Sequence, residues 1–148
     1  MTSNRTLPRS GNPKVEALRA FPAFARCPDR ELRVLAASAD ETDLPAGHVL
    51  MWEGDPGAEA FLVLEGRAEV AVAGEVIATV GPGQTVGEMA LIDSRPRTAT
   101  VVATTPLRVL VVGRRHLSAL LDQPGVARGL LQILSARLRQ ADSELAGT

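Results

Sequence analysis

Between residues 40 and 113 the chain never keeps one rhythm for long. Short apolar runs follow one another, each closed by glycine, proline or a polar pair. The breaks are Leu44-Pro45-Ala46-Gly47, Glu53-Gly54-Asp55-Pro56-Gly57, Glu65-Gly66, Ala73-Gly74, Gly81-Pro82-Gly83 and Thr104-Thr105-Pro106. Glycine supplies the positive-φ positions of tight turns and proline pre-sets the first turn angle, so these clusters mark chain reversals. No helix fits between breaks this close, but antiparallel strands do. The predicted strands cover 48–52, 60–64, 68–72, 75–80, 99–103 and 108–112, with Ala73-Gly74 as a two-residue hairpin loop. With the shorter pieces around them, about eight strands at this spacing predict a jelly roll or barrel. The expected class is mainly β with flanking helices: an eight-stranded β jelly roll. The expected organisation is one domain with a flexible tail (1–12), N-terminal helices (13–39), the jelly roll (40–113) and C-terminal helices (114–146).

The flanks carry helical spacing. Val15, Leu18 and Phe21 fall on one face, and Pro22 is expected to end that turn. Pro28-Asp29-Arg30-Glu31 opens a second helix with proline and acids at its positive end, followed by the stripe Leu32, Leu35 and Ala36. Gly113 marks the return to helix. Leu117, Leu120 and Leu121 predict a short helix stopped at Gln123-Pro124-Gly125, and a longer one covers 126–145. There Ala127, Leu131, Leu134, Leu138, Ala141 and Leu145 alternate in steps of four and three, an a/d seam. Val126, Leu130 and Ile133 form a second row. The two rows predict a helix that packs on the barrel with one and meets a twin with the other, giving a parallel homodimer. The competing reading is an amphipathic helix lying only on its own barrel.

One stretch is chemically dense: Thr85-Val86-Gly87-Glu88-Met89-Ala90-Leu91-Ile92-Asp93-Ser94-Arg95-Pro96-Arg97-Thr98-Ala99-Thr100. Gly87 allows close backbone approach. Met89, Ala90 and Leu91 fit one helical turn, whose free N–H groups suit an anion. Arg97 carries the planar fork that grips phosphate bidentately. Glu88 has acceptors only, and so seeks hydroxyls or cations. Together these groups suit a small ligand with hydroxyls and one phosphate.

The halves Gly87-Glu88-Met89-Ala90-Leu91 and Pro96-Arg97-Thr98-Ala99-Thr100 resemble the phosphate-binding cassette of the cyclic nucleotide-binding domain family. The family's pattern is Gly-Glu-x-Ala-Leu, a spacer, then Pro-Arg-x-Ala-Thr/Ser. The turn glycines Gly54, Gly57, Gly66, Gly81 and Gly83 also stand where the resembled domain turns. The resemblance implies a 3′,5′-cyclic nucleotide held inside a jelly roll; a threonine after the cassette arginine, here Thr98, is compatible with cAMP and with cGMP, and cAMP is expected ahead of cGMP as the commoner ligand. By motif position Arg97 would pair with the cyclic phosphate and Glu88 would accept from the ribose 2′-hydroxyl. Gly87 would admit the ribose, with Met89 and Ala99 beside it in the motif. The Ala90 N–H would donate to the phosphate, and the Thr98 hydroxyl would lie near the phosphate or purine edge. Val86, Leu62 and Val72 are candidate apolar walls. Leu134, Arg137 and Leu138 are candidate caps over the base, Arg137 by stacking. A bland alternative, a surface ion pair between Glu88 and Arg97, stands beside this reading, and Arg95 reads as a solvated charge.

Other functions find little support. Net charge is −1, with no basic domain-wide surface for nucleic acid. Cys27 is the lone cysteine, so there is neither an internal disulfide nor a cysteine metal cluster. His48 and His116 lie far apart, and no metal site is expected. The serines lack a nucleophile elbow, and Gly81-Pro82-Gly83 lacks the ending of a nucleotide P-loop, so neither enzyme nor cofactor is expected. No apolar run suits a membrane span or a signal peptide, which makes a cytoplasmic protein the expectation. No DNA-binding segment is expected in this chain. The expected role is a ligand sensor with an unidentified protein partner; the alternatives are a ligand-independent dimerising scaffold and a piece of a larger regulated protein.

Overall fold

The computed structural model describes residues 12–91, 95–114 and 122–146. Outside these residues lie the expected tail up to Gly11, the spacer Ile92-Asp93-Ser94, and the short helix expected around Leu117, Leu120 and Leu121. Asn12 belongs to the fold rather than the tail. Its side chain accepts from the Lys14 and Val15 N–H groups and caps α1 (Pro13–Leu18).

Among the described residues there are eight strands: β1 (Asp40–Leu44), β2 (Val49–Met51), β3 (Glu59–Glu65), β4 (Ala68–Val72), β5 (Glu75–Val80), β6 (Thr85–Val86), β7 (Thr100–Ala103) and β8 (Leu107–Gly113). They form two four-stranded antiparallel sheets ordered β1-β8-β3-β6 and β2-β7-β4-β5. The hairpin loop between β4 and β5 is Ala73-Gly74, with φ of 52° and 84°. Two successive positive φ angles match the twist that a two-residue hairpin needs. Gly113, expected as the boundary between the jelly roll and the C-terminal helices, closes β8 and pairs with Glu59.

β3 divides the interior. Phe61 and Val63 enter the core between the sheets with Met51, Val101 and Val109. Ala60 and Leu62 point the other way, into a second core shared with Leu18, Phe21, Phe24, Leu32, Leu35, Val126 and Leu130. This second core fastens the helices to the barrel.

α1 ends before Pro22, which itself opens the 3-10 turn Pro22–Phe24, and Pro124 likewise occupies the first position of α3 (Pro124–Ala146); the short helix that Pro124 was expected to stop lies outside the described residues. Proline fits there because that N–H has no helical partner to lose. α2 (Asp29–Ser38) holds α3 at its start. The buried Glu31 carboxylate accepts from Gly125 N–H at 2.8 Å and Val126 N–H at 3.3 Å, capping donors that would otherwise be orphaned. One turn further along, Gly129 lies so close to the Pro22–Phe24 turn that an added Cβ would stand 1.8 Å from the Ala23 carbonyl oxygen. In α3 Val126 and Leu130 are buried and Ile133 partly so; of the expected seam Leu131, Leu134 and Leu138 are exposed and Ala127 is partly buried, while the side chains of Ala141 and Leu145 lie outside the described residues. No described helix is long and apolar enough to cross a membrane.

Candidate functional site

The chain after β6 turns at Gly87, with φ of 77°, a conformation that suits glycine. It then forms the 3-10 helix Glu88–Leu91. Leu91 is fully buried in the second core and anchors this turn against the barrel. The returning half of the stretch is stitched to the β2–β3 loop. Arg97 N–H donates to the Asp55 carbonyl and Gly54 N–H to the Arg97 carbonyl, both at 2.8 Å, beside a bridge between Pro56 and Pro96. Both halves therefore face one cavity of about 550 Å³, bordered by Val86, Gly87, Glu88, Met89, Ala90, Arg97, Thr98 and Ala99.

Arg97 is half-buried, and its Nη2 donates to the Glu59 carbonyl at 2.9 Å. Burial lowers its pKa, opposed by the charge of Glu59 and reinforced by nearby Arg114. The group still stays cationic at neutral pH, because guanidinium does not deprotonate in proteins. Glu88 is also half-buried. Its Oε2 accepts from the Ala23 N–H at 3.2 Å, a contact spanning 65 residues of chain. Burial raises its pKa, and the Ala23 N–H partly offsets that. Among the described residues no ion pair joins Glu88 to Arg97. Each turns to the backbone instead, which removes the reading of the two as a surface pair.

Several expectations about the site are corrected. Leu62 does not border the cavity, because β3 is buried on both faces and Leu62 lies on the helix side; Phe61 takes the barrel side. Val72 lies at the hairpin end of β4 beyond the cavity, and Val70, two residues earlier, lines it. The Ala90 N–H is not free, since it donates to the Gly87 carbonyl at 3.0 Å. The expected base caps Leu134 and Leu138 are exposed, and Ile133 is the α3 residue that reaches the cavity. The side chain of Arg137 lies outside the described residues. Arg95, read as a solvated charge, is exposed but also borders the cavity.

The residues that sequence reasoning did not place at the site are Met51, Val70, Val101, Thr85 and Ile133. They come from β2, β4, β7, β6 and α3, and no local pattern joins them. The result is a mostly apolar chamber with a fixed cation on one part of its wall and a desolvated carboxylate on another. Such a chamber can take an amphipathic molecule with an anionic group, a hydroxyl and a flat apolar body. Among the described residues, no cluster of three or more His, Cys, Asp or Glu could hold a metal ion.

Residues 41–124 match the family described as the cyclic nucleotide-binding domain. The N-terminal domain of a transcriptional regulator from Streptomyces coelicolor A3(2) superposes with a TM-score of 0.76 at 36% identity, over 87% of this chain and 94% of that one. The Cyclic AMP receptor protein of Thermus thermophilus is 36% identical over 68% of this chain and 50% of its own length. The CRP-like cAMP-activated global transcriptional regulator of Mycobacterium tuberculosis is 27% identical over 78% of this chain and 54% of its own. The chain belongs to the cyclic nucleotide-binding domain family. It spans about half the length of these two curated relatives.

Proposed function

We propose that this chain is a cyclic nucleotide sensor that binds cAMP in preference to cGMP and passes the binding event to its last helix. The observation that carries the reading is the convergence of Arg97 and Glu88 on one cavity of about 550 Å³ with apolar walls. That volume lies within the roughly 300–1,000 Å³ typical of small-molecule sites. Arg97 would take the cyclic phosphate and Glu88 the ribose 2′-hydroxyl. The base would lie between Val70, Val101 and Ile133. The preference for cAMP rests on the relatives, two of which are named for that nucleotide.

The route to the last helix runs through Ala23. Its N–H is held by Glu88 and its carbonyl lies against Gly129. A ligand hydroxyl that draws the Glu88 carboxylate changes the restraint on the Pro22–Phe24 turn, and α3 rests on that turn. Binding then shifts a population between two placements of α3, to the extent that the ligand favours one of them. The exposed row Leu131, Leu134 and Leu138 is the proposed meeting surface for a second copy. Calorimetric titration of nucleotide-free protein with cAMP and cGMP tests the binding reading. Absence of saturable binding by either would overturn it in favour of a ligand-independent scaffold.

A further inference from the structure

We propose that Gly57 is a positioning residue for the anion site: its missing side chain forms the slot that holds the Arg97 guanidinium in line with the cavity. The inference rests on the assignment of Arg97 to the phosphate and extends it to a residue that does not itself border the cavity.

The glycines of this chain divide by what requires them. Gly47, Gly54, Gly74 and Gly83 have positive φ and open space around them, so backbone conformation explains them. Gly57 is different. It is buried, and its φ lies outside the left-handed region, so its backbone suits any L residue. What excludes a side chain is Arg97. An added Cβ would stand 2.4 Å from Nε, 2.6 Å from Cζ and 2.7 Å from Cδ. The guanidinium lies against the bare backbone there. Its Nη1 would be 2.7 Å from a Cβ added at Gly87, and its Nη2 donates to the Glu59 carbonyl at 2.9 Å. Two side-chain-free residues and one carbonyl thus set the plane of the group.

The loop around Gly57 has little freedom to retreat from an added methyl. Asp55 and Gly54 are tied to the backbone of Arg97 itself, and the Ala58 carbonyl accepts from the Arg114 N–H at 2.6 Å. The group that must move is therefore the guanidinium, which would leave Glu59 and lose its orientation toward the cavity. A phosphate gripped through paired N–H bonds depends on that orientation.

The experiment is a double-mutant cycle read by calorimetric titration of nucleotide-free protein with cAMP, with thermal melts as the folding check. Gly57→Ala should weaken cAMP binding about tenfold, the lower end of what losing a charge-assisted hydrogen bond costs. In an Arg97→Ala background the same substitution should change nothing further. Binding by Gly57→Ala equal to wild type would overturn the proposal, as would a loss repeated in full without the guanidinium. Should Gly57→Ala not fold alone, the double variant should fold, because removing the guanidinium makes room for the methyl; an unfolded double variant overturns the proposal as well. If Arg97→Ala itself binds cAMP like wild type, the site reading fails first, an outcome distinct from failure of the Gly57 assignment.

Discussion

Gly129→Ala tests whether α3 is seated on the Pro22–Phe24 turn as closely as described. In a solvent-facing helix the substitution should stabilise by about 1 kcal/mol, the difference in helix propensity. Here the new Cβ would stand 1.8 Å from the Ala23 oxygen and 2.8 Å from its carbonyl carbon. Backbone atoms cannot rotate aside as a side chain does. Ala23 is also held from behind by Glu88, and the Phe24 and Cys27 N–H groups fix its turn. The helix must therefore withdraw by roughly 1 Å or more to restore van der Waals contact, loosening Val126 and Leu130 in the shared core. Overpacking of this kind costs about 1–3 kcal/mol. Set against the propensity gain, the net expectation is a loss of about 1 kcal/mol. For a domain of this size that lowers the melting temperature by about 2–4 °C. Melts of the nucleotide-free protein followed by circular dichroism measure it. The sign decides: a melting temperature raised by a similar amount would mean that α3 does not rest on Ala23, and the proposed route from Glu88 to the last helix would fall with it.

Two further outcomes follow from other parts of the structure. Burial raises the pKa of Glu88 above its ordinary 4.5, so the stability it allows is fully present below 4.5 and is lost as pH climbs through the raised value. Glu88→Gln keeps an oxygen for the Ala23 N–H but carries no charge. Its melting temperature relative to wild type should thus increase between pH 4.5 and neutrality, while its cAMP affinity falls about tenfold; a difference constant across that pH range would contradict the assigned burial. The wild type should sediment as a dimer with cAMP bound, and Leu131→Glu combined with Leu138→Glu as a monomer. Wild type sedimenting only as monomer, with and without cAMP, would remove the proposed α3 interface.

The site was legible where its chemistry is contiguous. Gly87, Glu88, Arg97 and Thr98 lie within a dozen residues, so their types and order are visible without a fold. The apolar walls were not, because Met51, Val70, Val101 and Ile133 meet only after four separate elements close around the cavity. Leu62 was misplaced for a related reason. A strand buried on both faces has no polar alternation, so nothing local tells Leu62 from Phe61. Most strands were readable from glycine and proline, but β1 was not. Asp40-Glu41-Thr42-Asp43-Leu44 has no apolar pattern, and its pairing comes from β8, where Arg108 also reaches Asp43. Pro22 and Pro124 were read only as stops, whereas each also opens the helical segment that follows it, a role that depends on what comes after the proline. The cap of Glu31 on Gly125 crosses 94 residues, a distance over which the sequence carries no local sign.

The most direct test of the account is a paired calorimetric titration of nucleotide-free wild type and Arg97→Ala with cAMP. The wild type should bind saturably and the variant should lose about 10- to 150-fold in affinity, the range for one hydrogen bond to a charged group. Equal affinity of the two proteins would contradict it, because the cation on the cavity wall would then have no part in holding the ligand.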